Sequence, residues 1–193
     1  MKAAHKLFPI AGVEQDCILS MSGAITLAYQ LQLPEVYTLE EKEYDAYHHA
    51  WVKAIKLLPE HTVLHKQDWF QERQVQVEDG AGFLASASDR FYAGRPYLAH
   101  TCYLFLTKKP QDNKPSNSAS CNLLRSSLVP KLVLDSHILQ AFEDVAGQFA
   151  HVLEDSGFIQ IQRLCGEQLA GTTERTGILE RYCFLLDEEN RHI

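Results

Sequence analysis

No stretch of the sequence stays apolar for long. Runs such as residues 103–106 and 184–186 end after a few side chains, far short of the roughly 20 needed to cross a bilayer as a helix. The chain is therefore expected to have no transmembrane segment. Lys2, His5, Lys6, Pro9 and Glu14 interrupt the first residues, which leaves no apolar core for a signal peptide. Basic charge is in deficit as well. Lys and Arg number 18 against 25 Asp and Glu, a formal charge of -7, so there is no strong nucleic-acid signature of the kind that neutralises duplex phosphates. The five cysteines (Cys17, Cys102, Cys121, Cys165, Cys183) are odd in number and lack C-x-x-C spacing. They read as reduced thiols of a cytosolic chain rather than as disulfide staples.

Motifs for chemistry are missing too. A phosphate loop needs a Gly-Lys step that places backbone amides and an ammonium on the phosphates, and no glycine here precedes a lysine. Gly171-Thr172-Thr173-Glu174-Arg175-Thr176-Gly177 comes nearest, but its second glycine is one residue late and Ile178 stands where the lysine is needed. A turn at a helix entry is the expected reading. No G-x-S-x-G offers a serine nucleophile. His61, His65 and Asp68, with His100 and Cys102 two apart further on, are competent zinc ligands by type. Cys102 could serve as a nucleophile if the fold brought His61 or His65 beside it. Without H-E-x-x-H or C-x-x-C spacing, these side chains read as ordinary hydrogen-bonded or half-buried residues. A small metal- or thiol-dependent enzyme built from His61, His65, His100 and Cys102 is kept as the alternative. His48 and His49 are adjacent on a helix and point apart, so they cannot chelate together. No catalytic, cofactor-binding or metal residue is assigned.

What is present is globular patterning, with 46% hydrophobic and 22% charged residues. Residues 16–33 read as a hairpin turning at Met21-Ser22-Gly23, with Ile25, Leu27, Tyr29 and Leu31 alternating against polar or small neighbours. Thr38-Leu39-Glu40-Glu41 has capping-box spacing. The helix behind it carries Tyr44, Tyr47, Trp51, Ala54, Ile55 and Leu58 on one stripe and ends at Pro59. Residues 61–77 read as a strand, 83–91 as a short helix closed by Gly94, and 97–107 as a central strand apolar on both faces. A long amphipathic helix is expected from an Asp135 cap to Gly157, then a strand at 158–162 and a helix around Ile178, Leu179 and Tyr182. The fold class that follows is α+β: a mostly antiparallel sheet with two long amphipathic helices and one or two short ones packed on it. Residues 15–187 form the expected domain, with a flexible segment at 1–14 and a polar tail at 188–193. Residues 108–120, rich in Pro, Ser and Asn, read as a mobile loop. Around that loop Lys108, Lys109, Lys114, Arg125 and Lys131 make a basic stretch, a candidate interaction surface for an acidic protein, a lipid headgroup or a DNA strand.

Several long segments carry a resemblance. They are Asp16-Cys17-Ile18-Leu19-Ser20, Tyr47-His48-His49-Ala50-Trp51-Val52-Lys53-Ala54-Ile55-Lys56 and His65-Lys66-Gln67-Asp68-Trp69-Phe70, followed by Arg95-Pro96-Tyr97-Leu98, Tyr103-Leu104-Phe105-Leu106-Thr107-Lys108-Lys109-Pro110 and Leu153-Glu154-Asp155-Ser156-Gly157-Phe158. Together they resemble the N-terminal region of the TraG-family conjugative-transposon ATPases of Bacteroides type, related to the VirB/TraC-type motor of type IV secretion. The resemblance implies a non-catalytic N-terminal interaction and assembly domain of a conjugation ATPase, working in conjugative DNA transfer. Its implied partners are channel subunits at the inner membrane, and further copies of the chain through self-association. It implies a cytoplasmic location, peripheral at the inner membrane through those partners. ATP and magnesium are expected only in a downstream motor domain, so the sequence reads as the leading part of a longer protein. No catalytic residue carries over.

Overall fold

A computed structural model of the chain describes residues 10–76, 82–110 and 136–184. The expected mobile loop beyond Pro110, the Asp135 cap and the polar tail lie outside the described residues.

The architecture is α+β. Six strands form one antiparallel sheet: β1 (Ile10–Glu14), β2 (Cys17–Ser20), β3 (Ile25–Gln32), β4 (Thr62–Gln74), β5 (Pro96–Lys108) and β6 (Gln160–Arg163). Their order is β1-β2-β3-β5-β4, and β6 also pairs with β3. Strand β3 meets β2 at Ile25 and Thr26 and meets β6 from Tyr29 to Gln32. Two short strands thus lie end to end along one side of β3, while β5 takes the other side. The helices are α1 (Glu41–Ile55), α2 (Phe83–Tyr92), α3 (Ser136–Glu154), α4 (Gly166–Ala170) and α5 (Ile178–Phe184).

Helices α1 and α3 pack on each other and close one face of the sheet. Ile25, Leu27, Tyr29 and Leu31 alternate into that face, and Cys102, Leu104 and Leu106 join them from β5. Phe142, Ala146, Phe149 and Leu153 come down from α3 at helical spacing, with Ala54 from α1. This is the main core. The opposite face carries a second, smaller cluster of Ile18, Ala28, Tyr103, Leu164, Leu169 and Ile178, in which α4 and α5 take part. Because β5 is covered on both sides over residues 102–106, its sequence there is continuously apolar.

Three local readings change. Residues 10–14, which pattern alone assigned to an N-terminal segment, form β1 and pair with β2. Their hairpin turn is Gln15-Asp16, both with positive φ at 50° and 58°, as a two-residue turn of the inverted type requires. The usual Asn-Gly signature is absent, and other elements hold the turn instead: Arg163 donates to the Gln15 carbonyl at 3.4 Å and the Gly166 amide donates to Asp16 Oδ1. The cap of α1 is Glu40 rather than Thr38, with the Glu43 side chain returning to the Glu40 amide at 2.9 Å. Thr38 instead closes a single 3-10 turn, Val36–Thr38, by donating to the Glu35 carbonyl at 2.7 Å. The stripe of α1 is also narrower than expected, since Tyr44 and Ile55 stay exposed while Tyr47, Trp51 and Ala54 face the core.

Candidate interaction surface

Strands β4 and β5 pair over thirteen consecutive positions without a bulge, from Thr62↔Lys108 to Gln74↔Pro96. Strand β3 follows β5 only as far as Cys102. Beyond that point residues 96–101 have β4 as their partner, and the sheet narrows to a two-stranded ribbon. Its Phe70, Tyr97 and Leu98 belong to neither core cluster, and a two-stranded ribbon buries little by itself. Its apolar side chains are accordingly open: Leu98 is 65% exposed, Phe70 60% and Tyr97 47%. At its tip α2 adds Phe91 and Tyr92, also exposed, with the Arg95 guanidinium 4.1 Å from the Phe91 ring centre and 5.5 Å from that of Tyr92. Aromatic and aliphatic side chains gathered with an arginine on one projection have the composition of contact surfaces between proteins.

At the root of the ribbon stands a polar cluster. Cross-strand pairing sets Asp68 opposite Cys102 and Phe70 opposite His100. Asp68 accepts from His100 Nε2 at 2.8 Å and from the Lys66 ammonium. The Phe70 and His100 rings stack at 4.7 Å, which fixes the imidazole. The hydrogen bond from Lys66 holds the Asp68 carboxyl below its usual range, and His100 adds to this against partial burial. Burial pushes the Cys102 thiol up to about 11. A neutral buried thiol is a small hydrophobe, not a nucleophile.

The register also decides which of the histidines can meet. Residues 64, 66, 68 and 70 of β4 share the helix-covered face with Cys102 and His100, whereas His65 lies on the other face against Phe105. His61 sits before β4, where its carbonyl accepts from the Lys109 amide. That is nine positions along β5 from His100, on the order of 30 Å at strand rise. His61, His65, His100 and Cys102 therefore do not converge on one point. Among the described residues no group of three metal-ligating side chains is assembled.

Of the basic stretch, Lys108 and Lys109 are described. Lys108 is half-buried with its ammonium on the Glu60 carbonyl, and Lys109 is exposed beside it, at the end of the sheet away from the ribbon tip. Lys114, Arg125 and Lys131 lie outside the described residues.

Two further places hold clustered polar groups. On the α4 and α5 face a cavity of about 710 Å³ is lined by Gln30, Tyr103, Gln168, Arg175 and Arg181 among others. Arg181 is buried, donates to the Tyr103 hydroxyl at 3.2 Å and lies 5.2 Å from the Trp69 ring. The wall of this cavity is the Gly171 to Gly177 loop, which joins α4 to α5 through a turn closed by the Thr172 amide on the Arg175 carbonyl. A Cβ at Gly177 would fall against the Gly171 amide and within 2.5 Å of the Leu169 carbonyl, so the two glycines let the loop ends touch. On the α3 side Arg163 pairs with Glu143 at 2.5 Å and reaches the Cys17 sulfur at 3.6 Å. Burial pushes Cys17 up to about 11 even so, with Arg163 opposing the rise.

A domain family described as "Domain of unknown function, B. Theta Gene description (DUF3875)" matches residues 1–49. Among the described residues the match takes in β1, β2, β3 and the first turns of α1, and leaves the ribbon outside it. No curated protein matches the chain.

Proposed function

We propose that the chain is an interaction module, the N-terminal domain of a conjugation ATPase of the type IV secretion kind, which docks its motor onto channel subunits at the inner membrane. The observation that carries the docking role is the β4–β5 ribbon, where Phe70, Tyr97 and Leu98 project with Phe91 and Tyr92. Apolar surface held on a projection suits a partner's groove better than it suits water. The setting in conjugation comes from the resemblance of the long sequence segments. In that setting the hydrolytic site, with its ATP and magnesium, belongs to a motor domain elsewhere, and the chain works on the cytoplasmic side. The raised thiols of Cys17 and Cys102 weigh against covalent catalysis by either one.

A photo-crosslinking residue at Leu98, in cells carrying the conjugative element, tests the docking role. Adducts with a channel subunit, identified by mass, are the expected product, and adducts with none of the channel subunits would contradict it. Titration calorimetry of the purified chain with MgATP should give no saturable heat. Tight binding there would place nucleotide chemistry in this domain and overturn the division of labour.

A further inference from the structure

The two end strands of the β1-β2-β3-β5-β4 path differ. Strand β1 is five residues long with an irregularity between Ile10 and Gly12, both of which blunt an edge. Strand β4 is thirteen residues long, unbulged and without proline. The Lys109 amide donates to the His61 carbonyl and the Val75 amide to the Arg95 carbonyl, each at 3.0 Å. Both bonds involve odd-numbered residues that flank β4 in the same register, His61 and Val75, and in an antiparallel pair hydrogen-bonded positions alternate. The odd residues therefore spend their backbone groups on β5. Those of Thr62, Leu64, Lys66, Asp68, Phe70 and Glu72 point away from it, along an edge that no strand pairs with among the described residues.

That edge is complementary to itself. Set two copies antiparallel about a two-fold axis at Gln67, and Lys66 falls opposite the second copy's Asp68, Leu64 opposite Phe70, and His65 opposite Trp69. Gln67 meets Gln67, whose amide carries both a donor and an acceptor. Shifting the axis one residue either way puts Lys66 on Lys66 or Asp68 on Asp68, and like charges directly opposite repel. The outward-facing residues 62 to 72 are then hydrogen-bonded pairs in this register, so the ladder is complete. Lys66 and Asp68 are 36% and 34% exposed, which leaves the charged positions open to a neighbouring strand.

We infer that β4 pairs with β4 of a second copy of this chain, in the register centred on Gln67, to make one continuous sheet across a two-fold dimer. The inference deepens the assembly reading and rests on it only for the idea that the chain's work is contact with other chains.

Sedimentation equilibrium of the whole chain, at concentrations from about 1 to 100 μM to span moderate and weak homodimers, reads the outcome. The chain should move from monomer to dimer over that range. Lys66→Asp alone and Asp68→Lys alone should each stay monomeric, because each sets like charges opposite one another. An equimolar mixture of the two variants should recover the dimer, since every 66-to-68 contact is then between opposite charges. A monomeric wild-type chain, or single variants that dimerise as well as the wild type, would overturn the inference. Glu72→Pro guards against loss of fold in the charge variants: it removes an outward amide that β5 does not use, and should likewise prevent dimerisation with the circular dichroism unchanged. A dimer that yields no crosslink to channel subunits sinks the docking role alone, and a monomer that does crosslink sinks the dimer alone.

Discussion

Cys102 shows how burial decides the chemistry of a single side chain. Its neighbours Asp68, His100 and Lys66 would look catalytic in a list of residue types, yet the thiol is 2% exposed and pushed up to about 11. The reactive form is the thiolate, so modification at neutral pH should be slow. Iodoacetamide labelling of the folded chain, followed by peptide mass analysis, should mark exposed Cys165 well before Cys17 and Cys102, which it should reach only as the protein unfolds. Rapid labelling of Cys102 in the native state would return the thiol-enzyme reading to consideration. Asp68 and His100 then have a plainer role, pinning the ribbon at its root by a charge-assisted hydrogen bond and a ring stack.

Among the elements, the short pieces were hardest to read and the long ones easiest. Helix α3, with apolar residues at three- and four-residue steps, and β3, with strict alternation, were legible because burial on one face writes a period into the sequence. The central place of β5 was legible from its continuous apolar run. Strand β1 was not, because its turn, Gln15-Asp16, lacks the residues that mark such turns and is stabilised by Arg163 and Gly166, about 150 positions away. Helix α4 escaped notice for a similar reason: five residues are too few to show a period. Of the candidate site, the sequence points to the basic stretch from Lys108 to Lys131 and not to the ribbon, because the ribbon exists only where β3 ends opposite Cys102, which no local pattern records. The loop between α4 and α5 was recognisable as a turn, and the structure adds why glycine stands at both ends. Gly177→Ala should lower stability by about 3 kcal/mol, as overpacking against backbone that cannot yield does, read from the urea midpoint at unchanged slope. A variant as stable as the parent would show that the loop ends can move apart.

At the scale of the whole molecule, one end of the sheet is built for packing and the other for display. Helices α1 and α3 cover one face of the broad part and α4 and α5 help to cover the other, while the β4–β5 ribbon and α2 run beyond that cover with Phe70, Tyr97, Leu98, Phe91 and Tyr92 exposed. The β4 edge and the ribbon share Phe70, so a dimer through β4 would engage that ring and leave Tyr97, Leu98, Phe91 and Tyr92 of each copy to further partners. No helix among the described residues is long and apolar enough to cross a membrane, and the proposed place at the inner membrane would come through those partners. The measurement that bears most directly on this account is the transfer frequency of a conjugative donor whose copy of the protein carries Leu98→Asp and Phe91→Asp together. Both side chains are already in water, so abundance and melting temperature should match the parent while transfer falls sharply. Transfer at the parental frequency, with the variant folded and present in normal amount, would contradict the claim that this ribbon is where the protein does its work.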